Sequence, residues 1–152
     1  MAYSNIRTAI VTRLSGINGV ENVQGYHRLV STGVDDPTFR GLFVNGSNNL
    51  HAWRFTRTAV SQALCNDDDN TVKRTHTIEI EGYRGIVDGS ASENTFQDLL
   101  DVILDNLNKG DRTLGGVAIT HSLPQAGRIF AVSFYNVLCH AVTITLQVEE
   151  NV

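Results

Sequence analysis

Two long extended segments joined by a short polar loop constrain the fold more than any other feature of this sequence. Residues 50–64, LHAWRFTRTAVSQAL, are rich in aromatic, β-branched and threonine residues and contain no Gly or Pro. Residues 71–87, TVKRTHTIEIEGYRGIV, alternate apolar with polar side chains, the period of a strand with one buried face. The polar residues 66–70 have the length of a hairpin loop, so the sequence predicts a β-hairpin arm over about 50–87.

The length of this hairpin predicts that it extends beyond its own domain. Each strand of about 14 residues reaches on the order of 48 Å. The chain has 152 residues, and a compact domain of that size is roughly 40 Å across. A projecting hairpin without an apolar tip needs a partner surface along its stem.

Two amphipathic helices are predicted on either side of the hairpin. The first runs from Ser4 to about Leu14, with apolar residues every three to four positions, and ends at Gly16. The second begins at a capping box formed by Ser90 and Glu93 and ends at Gly110. Its apolar stripe is unbroken and consists of Phe96, Leu99, Leu100, Ile103, Leu104 and Leu107.

The remaining segments are predicted to be strands. They cover residues 20–30, 38–44, 115–123 and 140–148, and residues 128–134 form either a strand or an irregular segment. The expected fold is a single α+β domain over 1–152, with a mostly antiparallel β-sheet, two helices packed on one face and a long projecting β-hairpin.

Composition excludes several classes of protein. Apolar residues make up 41% and charged residues 18%, which is globular and neither disordered nor fibrous. The net charge is −4 and there is no basic run, which argues against sequence-specific nucleic-acid binding. Cys65 and Cys139 form no zinc or redox motif and are expected to be free thiols. We expect no membrane span and no signal peptide.

The run Asp67-Asp68-Asp69 is the most conspicuous candidate site. A calcium loop beginning here would need Gly at its sixth position and Glu at its twelfth, but Val72 and Ile78 stand there. A solvated hairpin tip is the favoured interpretation, and a charged contact to a partner is the alternative.

No catalytic arrangement is readable elsewhere. The histidines form no pair at helical spacing and no HExxH motif. There is no G-x-S-x-G elbow and no glycine-rich phosphate loop. We therefore expect no enzyme activity, no metal and no cofactor.

Two sets of charged residues are candidates for subunit contacts. Arg54, Arg57, Lys73 and Arg74 make the hairpin stem basic, and they either pair within the hairpin or contact a neighbouring subunit. Asp98, Asp101 and Asp105 share one face of the second helix. That face is either solvated or forms an acidic interface or channel wall.

The order of these elements resembles the tail terminator proteins of long-tailed bacteriophages, also called tail completion or head–tail joining proteins. An opening helix, SNIRTAIVTRL, leads to a long hairpin with the strand RTHTIEIEGYRG. A helix, SENTFQDLLDVILDNL, and a closing strand, HAVTITLQVEE, follow it. The resemblance covers most of the chain and includes no catalytic motif.

The resemblance implies a virion protein of the tail or neck, assembled in the host cytoplasm. Members of the family form hexameric rings on the tail tube protein, stop tube polymerisation and meet the head–tail connector protein. DNA passes through the ring without sequence-specific binding, and no membrane is involved. The hairpin arm, with Asp67, Asp68 and Asp69 at its tip, would then contact a neighbouring subunit, and Asp98, Asp101 and Asp105 would line the lumen or an interface.

Two alternatives stay open at this point. The chain is a head completion or connector protein or a tail-tube subunit, which share this topology. From a different class, it is a small-molecule-binding or hydrolase-like α+β domain, which requires a pocket where histidines and aspartates converge.

Overall fold

The computed structural model describes residues 3–28, 36–65 and 71–152 of the chain. They form three α-helices, seven strands and a short 3₁₀ turn at Asp88–Ser90. In chain order these are α1 Tyr3–Ser15, β1 Val23–Gln24, α2 Pro37–Phe43, β2 His51–Leu64, β3 Val72–Gly85, α3 Ser92–Lys109, β4 Thr120–His121, β5 Gln125–Ala126, β6 Phe130–Phe134 and β7 Val137–Asn151.

The seven strands form one mixed sheet. Its order is β1-β2-β3-β7-β4, and β5 and β6 also pair with β7 on the side away from β3. The pairing of β1 with β2 is parallel, and all other pairings are antiparallel. Strand β7 is therefore an interior strand, since β3 occupies one of its edges and three short strands share the other.

The sheet is mostly antiparallel, as predicted, although the parallel β1–β2 pairing makes it mixed. The predicted fold class is wrong in its helices, because there are three rather than two and they lie on both faces. Helices α1 and α3 cover one face, which we call the helix face, and bury the inward residues of β3 and β7. Helix α2 packs on the opposite face, against Ala52, Phe134 and Cys139.

Helix α2 replaces the strand predicted over 38–44. The Asp36 side chain accepts a hydrogen bond from the Thr38 amide at 2.7 Å, and Pro37 occupies the first helical turn. An Asp cap followed by Pro favours helix initiation, because Pro fixes φ and leaves no amide to satisfy. Phe39 and Phe43, four residues apart, are both fully buried on the sheet.

The prediction of a projecting hairpin is wrong as well. Strands β2 and β3 form a hairpin over thirteen paired positions, with a bulge between Arg57 and Ala59. However, β7 pairs with β3 from Lys73 to Gly85, along almost its whole length. The second strand of the hairpin is thus an interior strand of the sheet, and the hairpin does not stand alone.

Alternation in β3 and β7 correctly predicted their buried faces. Ile78, Ile80, Val142, Ile144 and Val148 are almost completely buried beneath α1 and α3. Burial of such side chains contributes about 1.5–3 kcal/mol each. The face is completed by the fully buried Trp53, whose indole ring passes over Gly82 so closely that a Cβ there would lie 2.4 Å from ring atoms.

The start of α3 differs from the prediction. The helix begins at Ser92, after Ala91 in a left-handed conformation, and no side chain caps it. Ser90 instead donates to the Val87 carbonyl in the preceding 3₁₀ turn, so the predicted capping box of Ser90 and Glu93 is wrong. The Ser92 hydroxyl oxygen accepts the Val87 amide at 2.9 Å, which folds this turn back onto the helix.

The bounds of the other predicted strands differ from those in the structure. The strand predicted over 20–30 contains only Val23–Gln24 within the described residues, and the one over 115–123 contains only Thr120–His121. Residues 128–134 do include a strand, β6. The last strand is longer than predicted and begins at Val137.

Candidate assembly interface

One end of the sheet carries the longest run of exposed strand residues in the described part of the chain. We call it the arm: residues 58–64 of β2, 72–76 of β3 and 148–152 at the end of β7. All of residues 57–64 are exposed, although they lie in a continuous strand. A strand exposed on both faces gains little from burial, so its stability comes from pairing with β3.

The outer edge of β2 is open along the arm. Among the described residues, only β1 pairs with that edge, at Trp53 and Arg54. The stretch beyond the bulge, TAVSQAL at 58–64, contains no charged residue and no Pro. Soluble proteins usually protect an exposed edge with Lys, Pro, a strong bulge or a covering element, because unpaired backbone groups recruit other strands.

The helix face of the arm ends in an apolar row. Leu64 lies opposite Val72, and Val72 exchanges two backbone hydrogen bonds with Val152. Leu64 is 58% exposed and Val152 is 50% exposed. Val60, two rows nearer the core and on the same face, is 48% exposed. Exposed apolar side chains clustered at one end of a domain mark a surface that contacts another protein.

A buried polar pair fixes the base of the arm. His76 and Glu150 are both buried, and the His76 Nε2 atom lies 3.0 Å from Glu150 Oε1. Arg74 approaches the same carboxylate oxygen at 3.4 Å. On the other face, Lys73 pairs with Glu149 at 3.4 Å. Each contact joins β3 to β7, so charge pairing holds these two strands in register.

The four basic residues predicted as interface candidates therefore have partners inside the chain. Lys73 and Arg74 pair with β7 and not within the hairpin. Arg57 donates to His76 Nδ1 at 3.3 Å and lies over the Tyr3 ring at 4.4 Å. Arg54 donates to Glu81 across the hairpin at 2.7 Å, so Arg54 and Arg57 both have partners within the hairpin.

The two acidic sets have different outcomes. Asp67, Asp68 and Asp69 lie outside the described residues. Asp98, Asp101 and Asp105 are exposed on α3, on the side away from the sheet. Asp105 pairs with Lys109 at 2.8 Å in the i, i+4 arrangement. The structure thus places these three carboxylates on a solvated helix face.

The histidines occupy separate structural positions. The Trp53 indole N–H donates to His51 Nε2 at 3.0 Å, and burial together with the charge of Arg84 lowers the pKa of His51 to about 4. His121 is buried with Nδ1 2.8 Å from the Ser122 carbonyl, and desolvation lowers its pKa as well. No two of the five histidine side chains, all of which the structure describes, contact each other.

One contact has the distance of a nucleophile–base pair. Ser92 Oγ lies 2.8 Å from His140 Nε2, beside an open cavity of about 250 Å³. Both side chains are buried, and the His140 ring stacks on Phe96 with ring centroids 6.0 Å apart. A catalytic histidine also needs a group that orients its second nitrogen, and no described carboxylate bonds to His140. The contact joins the start of α3 to β7.

Two further features concern metals and membranes. Within residues 3–28, 36–65 and 71–152, no three His, Cys, Asp or Glu side chains come together in a way that could hold a metal ion. In the same residues, no helix combines the length and the apolar composition needed to cross a bilayer. Both cysteines are free thiols, and burial raises the pKa of Cys139 to about 11.

The open edge was not identified as a site from the sequence, although a signal for it is present. The apolar and small polar residues of TAVSQAL suggested only a strand, whereas the absence of charge on such a strand is the informative property. Comparison with known proteins adds no assignment, since no family model and no curated protein matches the chain.

Proposed function

We propose that this chain is a structural virion protein of the tail terminator kind. Its copies form a homohexameric ring that caps the tail tube, ends tube polymerisation and joins the tube to the head connector. The observation that carries the proposal is the arm, with its uncharged open edge and its exposed apolar row. A surface of this kind favours contact with another protein, because unpaired backbone groups and exposed apolar side chains recruit other chains.

The arrangement of polar groups supports an assembly role over a chemical one. The histidines are dispersed, and the buried polar pairs His76–Glu150 and Ser92–His140 each join two elements of the scaffold. The absence of enzyme activity and of a cofactor stays a prediction. In the proposed function, the molecule acts through a rigid shape and not through a reactive centre.

Charge supports a ring that conducts DNA. Six copies of a chain with net charge −4 carry about −24, which repels the phosphate backbone and disfavours tight binding in the lumen. Asp98, Asp101 and Asp105 supply exposed carboxylates on one helix face that fits such a lumen. In this proposal DNA passes through without sequence-specific contacts.

Electron microscopy of the purified protein, alone and with its cognate tail tube protein, tests the proposal. We expect rings of six subunits with a central hole, bound at one end of each tube, and shorter tubes as the protein is added. Long tubes formed by the protein alone would identify a tube subunit instead. Binding to the connector without any effect on tube length would identify a head completion protein.

A further inference from the structure

The sheet has a second open edge, on the side opposite the arm. Strand β6, Phe130–Phe134, pairs with β7 on one side, and no described residue pairs with its other side. Its sequence, FAVSF, is as free of charge and of Pro as the β2 edge. Phe130 is 41% exposed, and Ala131 and Ser133 are exposed as well. Within the described residues, each margin of the sheet therefore has an uncharged stretch without a pairing strand.

The pairing pattern shows which backbone groups are available at each edge. Val72 exchanges its backbone hydrogen bonds with Val152, so its partner across β2, Leu64, directs its own amide outward. By alternation, Gln62 and Val60 do the same. On β7, the carbonyls of Thr143 and Gln147 accept from the β4–β6 side, so odd-numbered residues of β7 bond toward that side. Ala131 and Ser133 of β6 lie opposite even-numbered residues of β7, so their own amides point outward.

We propose that the outer edge of β2 in one copy pairs with the outer edge of β6 in a second copy, so that the sheet continues from subunit to subunit. The inference rests on the proposed function, because it takes the partner to be another copy of this chain. It joins two different surfaces, which makes the contact head-to-tail, and a head-to-tail contact forms a ring when the rotation between successive copies closes. Pairing of β2 with β2 would leave the β6 edge open and would stop at a dimer.

Charge selects the direction of the pairing. Arg57 precedes the open stretch of β2, and the exposed Arg128 precedes β6. Parallel pairing would bring these two cations together, whereas antiparallel pairing places them at opposite ends. The five residues of β6 fit within the seven of the β2 edge, and neither strand buries a charge on pairing.

Two proline variants test the pairing. Gln62→Pro and Ala131→Pro each remove one outward amide without removing a ladder bond inside the subunit. Gln62→Ala and Ala131→Ser are the matched controls that keep the amide. In sedimentation velocity, we expect rings for wild type and both controls, and folded monomers for each proline variant alone. An equimolar mixture of the two proline variants has one intact edge pair and should give a 1:1 dimer.

The outcomes separate the pairing from the proposed function. Rings from both folded proline variants would overturn the edge pairing and leave the ring intact. Loss of rings in Gln62→Pro but not in Ala131→Pro would also overturn it, since β6 would then have no part. Wild type that forms no ring in solution or on tail tubes would overturn the proposed function itself. If either proline variant fails to fold, Gln62→Lys and Ala131→Lys give the same test, because a charged edge resists pairing.

Discussion

At the scale of single residues, buried polar side chains are placed so that each supports a particular packing contact. His51 accepts from the Trp53 indole, and Trp53 in turn covers Gly82 at the middle of the helix face. An unsatisfied indole N–H in the core would cost about 1–3 kcal/mol. The neutral form of His51 is thus tied to the packing of the largest side chain in the core.

The titration of His51 predicts how stability depends on pH. Its pKa falls from 6.5 to about 4 on folding, chiefly by desolvation. Between these values the unfolded chain binds the proton and the folded chain does not, so stability is lost as the pH falls from about 6.5 to about 4. The lost contribution is on the order of 3 kcal/mol. Urea denaturation at pH 7 and pH 5 should show a smaller loss for His51→Gln than for wild type; equal losses would contradict the assignment.

Gly82 should not tolerate a side chain. Gly82→Ala places a Cβ 2.4 Å from atoms of the buried Trp53 ring, so ring or strand must shift, at about 1–3 kcal/mol. Gly85→Ala is the control in the same strand, since its Cβ would meet the nearest atoms at an ordinary 3.6 Å. Chemical denaturation measures both. Equal stability of the two variants would show that the indole ring moves at no cost.

At the scale of elements, one arginine joins the two helices of the helix face. Arg13, near the end of α1, donates to the Asn106 side chain at 3.1 Å and to the Asn106 carbonyl at 2.6 Å. It also donates to the Asp111 carbonyl. These carbonyls lie at and just beyond the end of α3, where the helix dipole favours cations.

Removal of this arginine should loosen the end of α3. We expect Arg13→Ala to lower the free energy of unfolding by about 1–3 kcal/mol, since several charge-assisted hydrogen bonds are lost. Arg7→Ala, on the same helix and exposed, is the control. Hydrogen exchange should localise the effect to residues 106–112. Uniformly faster exchange in both variants would indicate a general effect on α1 instead.

Elements with a strong period were predictable from sequence, and elements set by local capping or tertiary contact were not. The alternation of β3 and β7 and the stripe of α3 each bury one face, so pattern alone identifies them. Helix α2 depends on the Asp36–Pro37 start, whereas the composition of residues 38–44 predicted a strand. The parallel contact of β1 depends on where Val23 meets Trp53, and no local signal gives that pairing. For the interface, the sequence showed the basic residues, but it did not show that Lys73 and Arg74 pair with Glu149 and Glu150 of β7.

At the scale of the whole molecule, the helices cover only part of the sheet, and the exposed arm is what remains. The apolar row should therefore contribute to assembly. We expect Leu64→Asp to abolish ring formation, because it places a charge in the covered surface. Val102→Asp is the matched control, since Val102 is 49% exposed on α3 but lies among solvated carboxylates. Mass photometry at equal concentration measures both, and rings from Leu64→Asp would exclude the row from the interface.

The interior position of β7, between β3 and the short strands, affects how the chain folds. Strands β2 and β3 are neighbours in sequence and can pair early, but α3 and three short strands lie in the chain between β3 and its second partner, β7. Lys73 pairs with Asn151, so the closing contacts span about half the chain. Contacts of such sequence separation form slowly, and during that interval the hairpin exposes two edges instead of one. Refolding at rising protein concentration should therefore lose yield to aggregation before β7 docks. Pairing with β7 is the step that covers the free edge of β3.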